Sequence, residues 1–136
     1  MSCPFCEVDK DMIIWENERA LCIPDKNPLS EYHLLIIPKR HVERVDLLKE
    51  EEVRDMWALI SRCIRALEKK RLGVDLRQNW RPFLSEGPLV VRHVHVHVIS
   101  RRLNDRIHLY CGGEDMLRRS IDPKEAARRL RREFGD

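Results

Sequence analysis

The stretch HVHVHVIS, His93–Ser100, decides how the rest of the chain is read. Histidine and valine alternate strictly over its first six residues. Alternation with period two is the pattern of a β-strand, whose successive side chains point to opposite faces. A strand is therefore expected over residues 90–100. His93, His95 and His97 share one face as a ladder, neighbouring rungs about 6.5–7 Å apart. Val94, Val96 and Val98 form the opposite row and pack into a core. Neutral imidazole is a metal ligand, and it is also a nucleophile and an acid or base near neutral pH. One metal can rarely use three imidazoles from a straight strand, because ~13 Å separates the outer two. The three histidines must divide their work.

Reading outward from the ladder, HLLIIPK (His33–Lys39) is a second strong strand, apolar on both faces and hence central, ended by Pro38. DMIIWENERALCIPD reads as a hairpin with Glu16–Arg19 as its turn, and Pro24 and Pro28 bound the loop that follows. From about Lys49 to Arg71 the period changes. Val53, Met56, Trp57, Ile60, Cys63, Ile64 and Leu67 recur at three and four, which predicts a long amphipathic helix with Gly73 as its C-cap. VDLRQNW is a candidate strand before a loop around SEGP. Near the C-terminus, Asp122 and Pro123 are set to cap and open a basic helix. The order is strand, strand, strand, long helix, strand, strand. That order is an α+β domain, an antiparallel sheet of about five strands covered by one long helix.

Bulk properties narrow the class. The chain has 136 residues, 43% hydrophobic and 36% charged, which suits one soluble globular domain with a real core. No apolar run approaches the ~18–20 residues of a membrane span, and the start MSCPFCEVDK is acidic rather than signal-like, so a cytoplasmic location is expected. A net charge of +3 is too mild to argue for nucleic acid, and the basic runs RRLNDR and AARRLRREF read as solvated faces. The 5 cysteines are expected to be reduced thiols in that compartment. Cys22 and Cys63 fall among apolar neighbours and are expected in the core, Cys111 precedes Gly112-Gly113 in a turn, and His108 is read as ordinary surface. Cys3 and Cys6 form C-x-x-C, which reads either as a redox dithiol or as half of a zinc site.

Two stretches carry a resemblance to a known family. HVHVHVI is similar to the His-x-His-x-His-x-x signature of the histidine triad superfamily, and PDKNPLSEYHLLIIPKRHVERV resembles its segment in which an Asp or Asn precedes a proline and a His-strand-Pro-Lys-x-His run. The resemblance spans residues 3–106. It implies nucleotidyl transfer. In that family the middle histidine attacks the α-phosphorus of a nucleotide conjugate, and water or another acceptor then releases the nucleotide. Carried onto this chain, His95 is the nucleophile and His97 contacts the phosphate or leaving group. His33 buttresses the ladder from the neighbouring strand, and Asp25 takes the ribose hydroxyls. The resemblance further implies a structural Zn²⁺ on Cys3, Cys6, His41 and His93, which would make one triad histidine structural and leave two for catalysis. It also implies a homodimer and a purine nucleotide substrate, with Mg²⁺ as an optional companion of a polyphosphate.

This chain departs from the family just before the ladder. A polar, glycine-rich stretch is usual there, and here the residues are Gly87-Pro88-Leu89-Val90-Val91-Arg92. Leu89 and Val90 have no side-chain donors. Asn79, with Arg81 or Arg101, is the candidate to hold phosphate instead. Ser100 stands where proline is usual, which concerns the exit of the strand rather than the chemistry. The resulting expectation is one histidine triad domain over residues 1–136, with a zinc-binding turn at 1–8 and a C-terminal extension at 107–136. It would be a hydrolase or transferase of a nucleoside phosphoramidate, an adenylylated compound or a dinucleoside polyphosphate. The alternative is a nucleotide-binding sensor or partner domain with an impaired site. Nucleic-acid binding through the C-terminal helix is the weakest reading.

Overall fold

The computed structural model describes residues 3–87, 90–105, 107 and 121–134. The chain divides into two compact units, Met1–Leu103 and Asn104–Asp136. His108, Leu89 and the Cys111 turn lie outside the described residues. Among the described residues, no helix is long and apolar enough to cross a membrane.

The first unit is an α+β sandwich of a sheet and one long helix. Five strands, β1 (Trp15–Glu16), β2 (Ala20–Pro24), β3 (His33–Pro38), β4 (Gly73–Arg77) and β5 (Val96–Arg101), stand in the order β1-β2-β3-β5-β4, all neighbours antiparallel. β3 is central, as its two apolar faces require. On one face, Ala20, Cys22, Ile36, Val94 and Val98 pack against Met56, Leu59, Ile60, Cys63 and Leu67 of helix α1 (Glu50–Glu68). The valine row of the ladder is therefore core beneath the helix. Cys22 and Cys63 meet there as buried free thiols, their Sγ atoms 3.7 Å apart. On the opposite face, Leu21, Ile23, Leu35 and Ile37 are covered by Phe5, Val8 and Ile13 of the N-terminal segment.

Several local expectations change. The triad strand begins at Val96 rather than Val90, so His93 and His95 precede it. The reason is a bend at Arg92–His93, after which the Val94 N–H bonds out of the sheet to the Val42 carbonyl at 2.6 Å. The strand runs on through Ser100, whose hydroxyl accepts from Tyr32 N–H (3.1 Å) and meets Ser30 Oγ (2.9 Å). Strand β4 stops at Arg77, which leaves Asn79 beyond it. The buried stripe of α1 contains Glu52 and Leu59, while Val53 and Trp57 stay exposed at 48% and 58%. Glu52 is buried because Arg40 grips both its oxygens (2.7 and 3.1 Å) and the Lys49 N–H donates to it (2.9 Å), closing a capping box. Val53 and Trp57 instead line an apolar groove with Val45, Leu48 and Val96, bordered by Leu76 and Arg77 of β4 and by Gln78 beyond it.

Gly73 does not end the helix. The stop is made by Arg71, at φ 57°, with Arg71 N–H to Glu68 O (2.9 Å) and Leu72 N–H to Leu67 O (3.2 Å). Gly73 opens β4, where a Cβ would come within 3.3 Å of Arg101 Cβ. In the second unit, helix α2 (Pro123–Phe134) starts as expected, with Asp122 Oδ1 accepting from Lys124 N–H at 3.0 Å.

Candidate functional site

The histidine face carries two groups of side chains that meet along residues 93–97. The first gathers Cys3, Cys6, His41 and His93, whose ligand atoms all lie within 4.8 Å of one another. Cys3 and Cys6 share a tight turn closed by Cys6 N–H to Cys3 O at 3.0 Å. Cys3 Sγ is 3.3 Å from His93 Nδ1, and Cys6 Sγ is 3.2 Å from His41 Nδ1 and 3.5 Å from His93 Nδ1. Tetrahedral zinc with ordinary Zn–S and Zn–N bonds needs S···N separations of roughly 3.5 Å. His93 is suited to this role, because its Nε2–H donates to the Pro38 carbonyl at 2.8 Å and leaves Nδ1 as a lone pair. Its burial pushes the imidazole toward the neutral, ligating form. Desolvation, followed by the neighbouring Cys3 thiol, pushes the Cys6 thiol up to about 11. Paired thiolates here therefore call for a cation. The four residues, two thiols and two imidazoles, suit a tetrahedral metal ion.

The second group is His95, His97, His33 and Asp25. His95 Nδ1 donates to the His93 carbonyl at 2.8 Å, so its Nε2 carries a free lone pair. His97 is set in the opposite sense by a chain of hydrogen bonds. Leu29 N–H donates to His33 Nδ1 at 3.0 Å, so neutral His33 holds its proton on Nε2. That proton is given to His97 Nδ1 at 2.8 Å, which leaves His97 with its own proton on Nε2. Burial first, then the neighbouring His95 and His33, lower the His97 pKa to about 4. Burial likewise lowers that of His33. Both rings are neutral at pH 7.

Asp25 stands behind this pair, its Oδ2 3.4 Å from His33 Nε2 and 3.8 Å from His97 Nδ1. Its Oδ1 accepts from Asn27 N–H at 2.8 Å. Asp25 thus shapes its own turn and also faces the imidazoles. The carboxylate has further lone pairs with which to accept hydroxyls. Asp25, His33 and His97 are close enough together to suggest a second metal. The proton on His33 Nε2 argues against it, since that nitrogen has no lone pair to give.

Asn79 and Arg101 are placed differently from the histidines. Asn79 is exposed, and Arg101 pairs with Asp75 across the β4–β5 ladder. Among the described residues, no hydrogen bond joins either to the histidines. Two neighbours of the site escaped the sequence reading. Phe5, inside the C-x-x-C turn, sets its ring edge against His95 with centroids 5.1 Å apart. Arg77 is the register partner of His97 on β4. Phe5 was hidden as the variable position of a metal motif, and Arg77 as one charge among many.

Comparison with known proteins identifies the family. A family model described as the HIT domain matches residues 7–104. An uncharacterized HIT-like protein of Methanocaldococcus jannaschii is 32% identical over 111 residues, covering 76% of this chain and 81% of that protein. The Schizosaccharomyces pombe protein named adenosine 5′-monophosphoramidase is 31% identical over 105 residues, 74% of this chain and 75% of its own. The crystal structure of a histidine triad nucleotide-binding protein from Candida albicans superposes with a TM-score of 0.63 at 22% identity, covering 93% of this chain and 99% of that one, which speaks for the fold. With its triad on one sheet face and its match spanning the sheet and the helix, the chain belongs to the HIT domain family.

Proposed function

We propose that the chain is a nucleotidyl hydrolase or transferase acting through a covalent nucleotidyl-His95. The observation that carries this reading is the hydrogen bond from His95 Nδ1–H to the His93 carbonyl, which leaves Nε2 as a nucleophile. His95 Nε2 attacks the α-phosphorus of a nucleoside phosphoramidate, an adenylylated compound or a dinucleoside polyphosphate. The N–P bond forms as the bond to the leaving group breaks. Neutral His97 donates a hydrogen bond from Nε2–H to the leaving group or its phosphate oxygen, in the orientation that His33 supports, and an amine leaving group takes its proton from solvent. Water then attacks the same phosphorus, its proton passes to solvent, and the nucleotide leaves His95. Asp25 holds the ribose hydroxyls in this reading, and Asn79 and Arg101 remain candidates for more distant phosphate oxygens. The name of the fission-yeast relative supports an adenosine phosphoramidate as a first substrate to try.

Zinc held by Cys3, Cys6, His41 and His93 would tie the N-terminal turn to the sheet, its coordination sphere full and without a place for substrate. The homodimer implied by the family resemblance would close the apolar groove beside β4, an edge strand of the sheet.

The test is single-turnover incubation with adenosine 5′-phosphoramidate and diadenosine tetraphosphate. AMP release and a mass gain of one nucleotidyl group, both absent in His95→Ala, are expected. Nucleotide binding without turnover in the wild type would instead favour the sensor reading and point to Leu89 and Val90.

A further inference from the structure

Arg77 closes β4, and its partner across the β4–β5 ladder is His97. Directly opposed residues of an antiparallel pair point to the same face, their Cβ atoms ~4.5–5.5 Å apart. Arg77 therefore emerges on the histidine face, beside His97. No β4 residue is paired with His95. The side chain is exposed, and among the described residues no ion pair engages it. The other two charges along this edge of the face are committed to each other, Asp75 to Arg101. Arg77 stands close enough for its charge to be felt by both His33 and His97, where it adds to burial in disfavouring the imidazolium form.

A permanent cation beside His97 and not beside His95 divides the site by charge. Attack by His95 Nε2 pushes the leaving group away from the nucleophile, toward the N–H of His97. An amine leaving group is met by that hydrogen bond and takes its proton from solvent. A polyphosphate or sulfate leaving group needs positive charge on its oxygens as well, and a guanidinium fork supplies this in a fixed geometry. In the stretch before the ladder, Leu89 and Val90 carry no side-chain donors, and Arg92 is held by the Pro82 and Leu84 carbonyls and by Glu86. Standing at the edge of the sheet, Arg77 also borders the groove on the helix side.

We propose that Arg77 binds the leaving group, and that it biases the site toward nucleotidyl substrates whose leaving group is itself an anion, such as a polyphosphate or a sulfate. The proposal rests on nucleotidyl transfer at His95. The ratio of kcat/KM for diadenosine tetraphosphate to that for adenosine 5′-phosphoramidate should fall about tenfold in Arg77→Gln and largely return in Arg77→Lys. Equal melting temperatures of the three proteins would show that the change is not unfolding. A ratio that stays put in Arg77→Gln overturns the assignment. If the wild type turns over neither substrate, the reading of the function fails, and calorimetry with ATP and AMP decides Arg77 separately. Tighter binding of ATP than of AMP, with the difference collapsing in Arg77→Gln, upholds it. The same preference in both proteins, or none in the wild type, overturns it.

Discussion

His95 and His97 are the same side chain two residues apart, yet each is set to a different task by one hydrogen bond. The His93 carbonyl takes the Nδ1 proton of His95, and His33 places a proton against Nδ1 of His97. In the proposed reaction the first ring is left with a lone pair to attack and the second with an N–H to donate in a hydrogen bond. His97→Ala should therefore cut phosphoramidate turnover by about 10²–10³, the usual worth of one preorganised donor at a developing charge. The loss should be smaller for leaving groups of lower pKa. Equal losses across a series of leaving groups would remove His97 from contact with the leaving group. The same ring also links stability to pH. Its ordinary pKa of 6.5 falls to about 4 in the folded chain. Its contribution is thus fully present above about pH 6.5. As the pH drops from there toward 4, the unfolded chain takes up a proton that the folded chain refuses, and the contribution is lost. The melting temperature should decline through this window, and His97→Asn should flatten the decline. An unchanged slope would mean that other groups set it.

At the scale of elements, the two faces of the sheet are held by different means. The helix face is close-packed, with Ile36 and Val98 fully buried against α1. Ile36→Ala should cost about 3 kcal/mol in chemical denaturation, since β3 is central and the cavity cannot collapse. Val53→Ala, on the same helix but exposed, should change stability by less than about 1 kcal/mol. A large effect there would mean that Val53 is covered in solution. The histidine face has a smaller apolar cluster, lidded by Phe5, Val8 and Ile13. Its cover is anchored where Cys3 and Cys6 meet His41 and His93. Removing the proposed zinc with a chelator, or introducing Cys6→Ser, should lower the melting temperature. It should also speed hydrogen exchange of the N-terminal segment before that of α1. Exchange that rises first in α1 would contradict this division of labour. Phe5 joins the two roles, since it sits between the thiols in sequence and against His95 in space.

For the whole first unit, the open edge is the informative feature. Among the described residues β4 is an edge strand, and the groove beside it exposes Trp57 at 58% and Leu76 at 41%. A second copy docked there would extend the sheet and cover both residues. Trp57→Arg should then shift the protein to monomer in sedimentation equilibrium, and a dimer that survives the change would have to use another face. The amphipathic helix was legible because its period is local, but which flank of its stripe faces the sheet was not. Glu52 entered the core and Trp57 left it, because Arg40, twelve residues earlier, supplies the partner that lets a carboxylate be buried.

The sequence by itself determined the alternation that puts valines under a helix and imidazoles on the other side, and the order of strands and helix along the chain. Each of these depends on a period within one segment, so a linear reading finds it, whereas the four candidate metal ligands come from three segments and follow from the family resemblance alone. Only the tertiary structure decided which ring nitrogen bears each proton, since the deciding partners are the Pro38 carbonyl, the Leu29 N–H and His33, drawn from other segments. It also decided that Arg77 stands opposite His97 while Arg101 is committed to Asp75. Register between strands is a property of the pairing, and a charge acquires a role only when its neighbours across that pairing are known.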